Sequence, residues 1–256
     1  MINCIINNTE HKVNFFRVIV IFSVLVSCAV ERPSGKTEAE VLYKESKDLM
    51  ADKRYIMATE KLNTLRSQYP YSYYATYAEL ALADILFMQE SYEEAAAAYI
   101  LFRDFHPKNK QQDYVLFKIA ESYFNQKPDT YDRDLTPAIR AIKYFNELKS
   151  LYPSSKYLKD ATEKIEICRQ MLVDKEKYIA DFYFRTEDYK SAEFRYSNML
   201  NNFRSYDMKS LAALRLMRIG VKTKNTTLCT DTYSESKVFL KGRELESANK
   251  LKSSCL

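Results

Sequence analysis

The residue types that most often carry chemistry are scarce in these 256 residues. There are two histidines, His11 in the N-terminal segment and His106 directly before Pro107. A nucleophile–base relay or a zinc site built on His pairs needs more than that. Glycine occurs three times, at Gly35, Gly220 and Gly242. Phosphate-cradling loops need glycine where backbone approaches phosphate, and neither G-x-x-x-x-G-K-[ST] nor G-x-G-x-x-G is present. The paired acids Glu93-Glu94 and Glu187-Asp188 sit beside turns and read as solvated helix starts rather than acid–base pairs. What remains is thiol chemistry: Cys4, Cys28, Cys168, Cys229 and Cys255. No histidine lies near the last three, so no metal site and no cofactor are expected. The formal net charge of +5 is spread over interspersed Lys, Arg, Asp and Glu, without the basic stripe that nucleic-acid binding requires.

Cys28 is the thiol with the clearest context. Lys12 and Arg17 precede an apolar run, Val18–Val26, of nine residues. As a helix it spans about 14 Å, against a hydrocarbon core about 30 Å thick. A basic start and a short apolar stretch make an export signal, not a membrane span. The run ends Leu25-Val26-Ser27-Cys28, which resembles the bacterial lipobox. That resemblance implies diacylglycerol on the Cys28 thiol, cleavage before it, and acylation of the new amine. Two or more acyl chains anchor a protein stably where one does not. The alternative is an ordinary signal peptide with an incidental cysteine. The cysteine's place at the end of the run, and the polar tether from Ala29 to Lys36 behind it, favour lipidation. By the sorting rule of such lipoproteins, Ala29 after the cysteine implies the outer membrane. The expected layout begins with a signal peptide, 1–27, and a lipidated tether, 28–36.

The elements that must carry any binding surface are helical. Four segments share one template. They are Tyr55/Ala58/Leu62/Leu65/Tyr69 then Pro70; Tyr92/Ala95/Tyr99/Phe102/His106 then Pro107; Ala138/Ala141/Phe145/Leu148/Tyr152 then Pro153; and Tyr189/Ala192/Tyr196/Met199/Phe203, with Arg204 where proline would fall. The 3-4-3-4 spacing puts each set on one helix face, the small alanine admits a neighbouring helix, and the proline ends the helix. A partner helix precedes each, marked by Leu42/Ser46/Leu49, Leu82/Ala83/Leu86, Leu116/Ile119/Ala120/Tyr123 and Ala161/Ile165/Cys168/Leu172. Ser72 and Ser154 or Ser155 are placed to cap helices after the prolines, and Thr136 to cap the helix that Pro137 starts. A fifth, poorer hairpin is expected from Tyr206 to Ile219, stopped by Gly220, and then Leu228 to Leu240. The expected fold is all-α, a superhelical stack of about five degenerate tetratricopeptide-like hairpins over 37–219, with a final helix and C-terminal tail over 220–256. The spacing of Ala58, Ala95, Ala141 and Ala192, at 37, 46 and 51 residues, departs from a constant 34, in part through the polar insert Asn125–Asp134.

Stacked hairpins build surfaces that suit extended peptides. The cluster Tyr69, Tyr71, Tyr73, Tyr74, Tyr77 is denser than a core needs. Tyr71, Tyr73, Tyr74 and Tyr77 are therefore candidates for a peptide groove, since tyrosine joins apolar area to a hydrogen-bonding tip; core packing is the competing explanation. Cys168 occupies an apolar helix position and reads as core. Cys229 and Cys255 flank the last helix in a compartment where disulfides form, and are a candidate pair.

A lipobox followed by such hairpins resembles the BamD family of outer-membrane β-barrel assembly lipoproteins. The likeness is carried by Tyr131-Asp132-Arg133-Asp134-Leu135-Thr136-Pro137-Ala138, by Leu151-Tyr152-Pro153-Ser154-Ser155-Lys156-Tyr157, and by Cys168-Arg169, Glu176 and Ala180-Asp181-Phe182-Tyr183-Phe184-Arg185. It implies a non-enzymatic scaffold, lipid-anchored on the periplasmic face of the outer membrane. Such a scaffold binds the periplasmic domains of BamA and other assembly-machine subunits and receives unfolded outer-membrane proteins. In Tyr189–Arg195, the resemblance makes Arg195 a BamA-contact residue; the alternative is a surface ion pair with a nearby acid, worth about 0–1 kcal/mol. The resemblance also casts the tyrosines as a site for clients whose strands end in aromatic residues. The competing function is a different periplasmic tetratricopeptide lipoprotein acting as a cell-envelope adaptor; a lipid-anchored hydrolase ranks behind both.

Overall fold

The computed structural model describes residues 34–255; the signal segment and Cys28 lie outside them. Eleven α-helices and no strands are present among the described residues. They are α1 (Glu38–Ala51), α2 (Tyr55–Gln68), α3 (Tyr73–Met88), α4 (Tyr92–Phe105), α5 (Gln112–Gln126), α6 (Thr136–Leu151), α7 (Leu158–Arg185), α8 (Tyr189–Asn202), α9 (Tyr206–Thr223), α10 (Thr226–Ser236) and α11 (Gly242–Ser253). Helical hairpins recur along the chain, with α1/α2 in one part and α5/α6, α7/α8 and α9/α10 in the other. The chain divides into two compact units at residues 85 and 86, within α3.

In the first unit Thr37 caps α1, its side chain accepting from Glu40 N at 3.2 Å, with Glu38 and Glu40 in the first turn where the helix dipole favours acids. The template residues Ala58, Leu62 and Leu65 of α2 are fully buried. They pack with Ala39, Leu42 and Met50 of α1 and with Ala75, Ala78, Ala81 and Ile85 of α3. Ser72 Oγ accepts from Tyr74 N at 3.2 Å as α3 opens.

In the second unit each helix from α4 to α10 packs on the next. The template faces are the core: Ala95, Tyr99 and Phe102; Ala138, Ala141, Phe145 and Leu148; Ala192, Tyr196 and Met199. α7 has 28 residues, about 42 Å of helix, and packs on α6 and α5 and then on α8. Cys168 on α7 is buried and free; burial pushes its thiol up to about 11, so it stays protonated and inert.

One backbone feature marks the repeats independently of side chains. Lys53, Glu90, Glu187 and Lys224 all have φ between 56° and 62°, and each lies two residues before the first residue of α2, α4, α8 or α10. A left-handed residue there turns the chain between consecutive helices. The third hairpin replaces this turn with the polar insert. That insert docks on α7, where Lys175 Nζ donates to Arg133 O at 2.6 Å and the Tyr131 and Tyr178 rings lie 5.8 Å apart.

Two local expectations need correction, and one choice between two serines is made. The cap of α6 comes from Asp134, whose Oδ1 accepts from Thr136 N at 3.1 Å and Thr136 Oγ1 at 2.8 Å; Thr136 itself is already helical. The serine that acts after Pro153 is Ser155, which accepts from Tyr157 N and donates to Asp113 on α5 at 2.8 Å. Gly220 does not stop α9, which runs on to Thr223 and ends at left-handed Lys224. A Cβ at Gly220 would come within 2.8 Å of Cys229 Cβ and 3.0 Å of Cys229 N. The glycine exists for the close approach of α10. Gly220→Ala is therefore expected to destabilise by about 1–3 kcal/mol through overpacking, read as a lower midpoint in urea unfolding.

The C-terminal region also holds more structure than one helix and a tail. α10 ends at Ser236, and α11 docks on α9 and α10. Met217, Cys229, Leu240, Ala248 and Cys255 form its core, with Leu245 and Leu251 against them. Cys229 and Cys255 are joined as a disulfide, their Cα atoms 6.1 Å apart.

Candidate partner-binding surfaces

The first surface is aromatic and belongs to α1 and α3. Tyr73 and Tyr77 are one helical turn apart, so their rings meet at 4.7 Å and their hydroxyls at 2.6 Å. Tyr74 lies 5.6 Å from Tyr73 and 5.6 Å from Tyr43 of α1, which also meets Tyr77 at 6.2 Å. Tyr73 is exposed, while Tyr43, Tyr74 and Tyr77 are half-buried. Burial and nearby Asp84 raise the Tyr43 hydroxyl above its ordinary value; the hydrogen bond with Tyr73 raises Tyr77. Tyr43 and Tyr77 therefore stay neutral donors at physiological pH. Of the sequence candidates, the structure groups Tyr73, Tyr74 and Tyr77. Tyr71 is fully exposed and stands apart from these rings. Tyr74 also packs against the α1–α3 core. Tyr43 was not a sequence candidate, because a lone tyrosine on α1 has no spacing signal that points to α3.

The second surface lies on α7 and α8. Ala192, Tyr196 and Met199 turn one face of α8 into the core, which leaves Arg195 at its edge with about one third of its side chain exposed. Arg195 Nη1 donates to Glu176 Oε2 of α7 at 3.1 Å. Beneath this rim lies a more enclosed cluster. Tyr196 is fully buried and its hydroxyl donates to Asp181 Oδ1 at 2.7 Å. Arg215 Nη2 from α9 reaches the same oxygen at 3.2 Å, its guanidinium 4.6 Å above the Phe184 ring. Burial first, then the Asp181 carboxylate, raises the Tyr196 hydroxyl well above its ordinary value. Asp181 thus ties α7, α8 and α9 together and holds α8, with Arg195, in place. Nothing in this arrangement moves a proton or positions a nucleophile; it can present a charged and aromatic relief to a protein.

The family model YfiO, described as an outer membrane lipoprotein, matches residues 36–232. This chain belongs to the YfiO family. The match takes in the tyrosine cluster, the insert, α7 and Arg195, and stops within α10. Curated relatives match this chain at moderate identity. The outer membrane protein assembly factor BamD of Neisseria gonorrhoeae is 29% identical over 210 residues, covering 75% of this chain and 79% of its own. The BamD of Rickettsia prowazekii is 28% identical over 231 residues, 87% of this chain and 92% of its own. That of Neisseria meningitidis serogroup A is 30% identical over 188 residues, 69% and 70%.

Proposed function

We propose that this chain is the scaffold lipoprotein of an outer-membrane β-barrel assembly machine, binding BamA and passing unfolded outer-membrane proteins to it. Its role in outer-membrane protein assembly rests on one observation, the YfiO match over 36–232 together with relatives named as BamD assembly factors over most of their length. Those names support a scaffold rather than an enzyme. Lipid anchoring through Cys28, on the periplasmic face, is part of the same reading and is supported by the lipobox-like Leu25–Cys28 and by the family's description.

Arg195 is the residue we assign to BamA. Its ion pair with Glu176 is about one third exposed at both ends, so solvent screens it and its loss should cost the fold only about 0–1 kcal/mol. A partner that desolvates the guanidinium would make it worth several kcal/mol of binding. Arg195→Glu is expected to reduce co-purification of BamA at least tenfold while circular dichroism stays helical. The double variant Arg195→Glu/Glu176→Arg restores the internal pair and is expected not to restore BamA. Undiminished recovery in the single variant, or full recovery in the double, removes Arg195 from the interface.

The Tyr43/Tyr73/Tyr74/Tyr77 surface is the proposed client site. An extended segment with aromatic side chains would gain apolar area from these rings and hydrogen bonds from their hydroxyls. Photocrosslinking from position 73 or 77 is expected to capture unfolded outer-membrane protein; capture of none would refute the assignment.

A further inference from the structure

α8 and α10 face each other across a groove of about 360 Å³. Three carboxylates, Glu193 of α8 and Asp231 and Glu235 of α10, stand on its walls, and Leu216 and Leu228 lie among its lining residues. No lysine or arginine lines it, and none of the three acids makes an ion pair among the described residues. In a chain of net charge +5 this is a local reversal of sign. Thr232, on the same face of α10, is only 5% exposed and lines the groove. Its hydroxyl makes no hydrogen bond to any described residue. The hydroxyl is not sealed from solvent, so its hydrogen bond is open to a bound group in place of water.

This groove is separate from the Arg195 rim. Arg195 is two residues from both Glu193 and Ser197, about 200° round the helix, so the two surfaces lie on different sides of α8.

We propose that the groove seats a lysine- or arginine-bearing segment of a partner protein. Three unpaired carboxylates attract cationic side chains and steer their approach. The leucines take an aliphatic side chain between them, and the Thr232 hydroxyl is available to a backbone group. The inference goes beyond the assembly role and does not depend on BamA being that partner.

The test uses the full chain in detergent and a fluorescently labelled twelve-residue peptide of alternating lysine and leucine, followed by anisotropy. The result expected is saturable binding that weakens at least tenfold in Glu193→Gln/Asp231→Asn/Glu235→Gln. A control, Glu60→Gln/Glu163→Gln/Glu246→Gln, changes the net charge equally at exposed positions elsewhere and should bind like wild type. Equal losses in both triple variants, or no saturable binding to wild type, overturn the proposal. Spermidine displacing the peptide with the peptide's own affinity also overturns it, since the groove would then take a free polyamine rather than a protein segment.

Discussion

Asp181→Ala is expected to destabilise the protein by about 2–3 kcal/mol, through the loss of a shared, partly buried acceptor. The carboxylate is the partner of both the fully buried Tyr196 hydroxyl and Arg215. Arg215 has a second reason to depend on it, because its Nε is buried without a hydrogen-bond partner. Removing Asp181 strands a hydroxyl and a guanidinium together and loosens α8 and α9 from α7. Tyr196→Phe keeps the Asp181–Arg215 pair and should cost about 1 kcal/mol, the net worth of one hydrogen bond. The comparison is made by urea unfolding, and equal midpoints for Asp181→Ala and wild type would show that the cluster contributes nothing. The tyrosine also gives a pH signature. Its folded-state proton affinity is raised, so its contribution is whole below about pH 10, the ordinary tyrosine value, and is lost as pH climbs through the folded value. Tyr196→Phe should therefore lose less stability than wild type between neutral and strongly alkaline pH.

Loss of the lipid should have an all-or-none effect. Cys28→Ala, exported behind a leader cleaved just before that position, is expected to move from the membrane pellet to the soluble periplasmic fraction. The acyl chains proposed on Cys28 would supply about 0.8 kcal/mol per buried CH₂, and among the described residues no helix is long and apolar enough to cross a membrane. A variant that still sediments with membranes in cells depleted of BamA would show a second anchor. The consequence for function is proximity: a scaffold released from the bilayer loses the high local concentration at which it meets a membrane-embedded partner.

The repeat pattern was legible because it is a consequence of local geometry. Five positions at 3-4-3-4 spacing can only form one face of a helix, and a proline after that face can only end it. Ala58, Ala95, Ala141 and Ala192 accordingly lie at zero exposure, and the helices begin and end close to where the spacing and prolines place them. Where the fourth repeat lacks its proline, α8 still ends at Asn202, since packing against α9 is enough. α11 was not legible, because its apolar residues, Leu245, Ala248 and Leu251, are few and recur every three residues in an otherwise polar segment. It is held by Met217, Leu240 and the Cys229–Cys255 link, all of which are supplied from elsewhere. Gly220 misled for a related reason. Glycine near a helix end usually marks a stop, and only the position of Cys229 shows that it makes room for another helix.

The surfaces divide in the same way. Tyr73 and Tyr77 are neighbours in any helix, so their pairing is local and the sequence determined it. Tyr43 joins them only because α1 and α3 pack in one unit. Sequence placed Arg195 at the edge of a packing face, but Glu176 and Asp181 of α7 reach α8 from 19 and 15 residues away, and Arg215 of α9 joins them through Asp181. The acidic stripe Leu228/Asp231/Thr232/Glu235 is visible as a helix face, yet a groove needs a second wall, and α8 provides it. Side-chain periodicity within one helix is set by its own backbone. Which two helices face each other is set by how the apolar faces of all of them are buried at once.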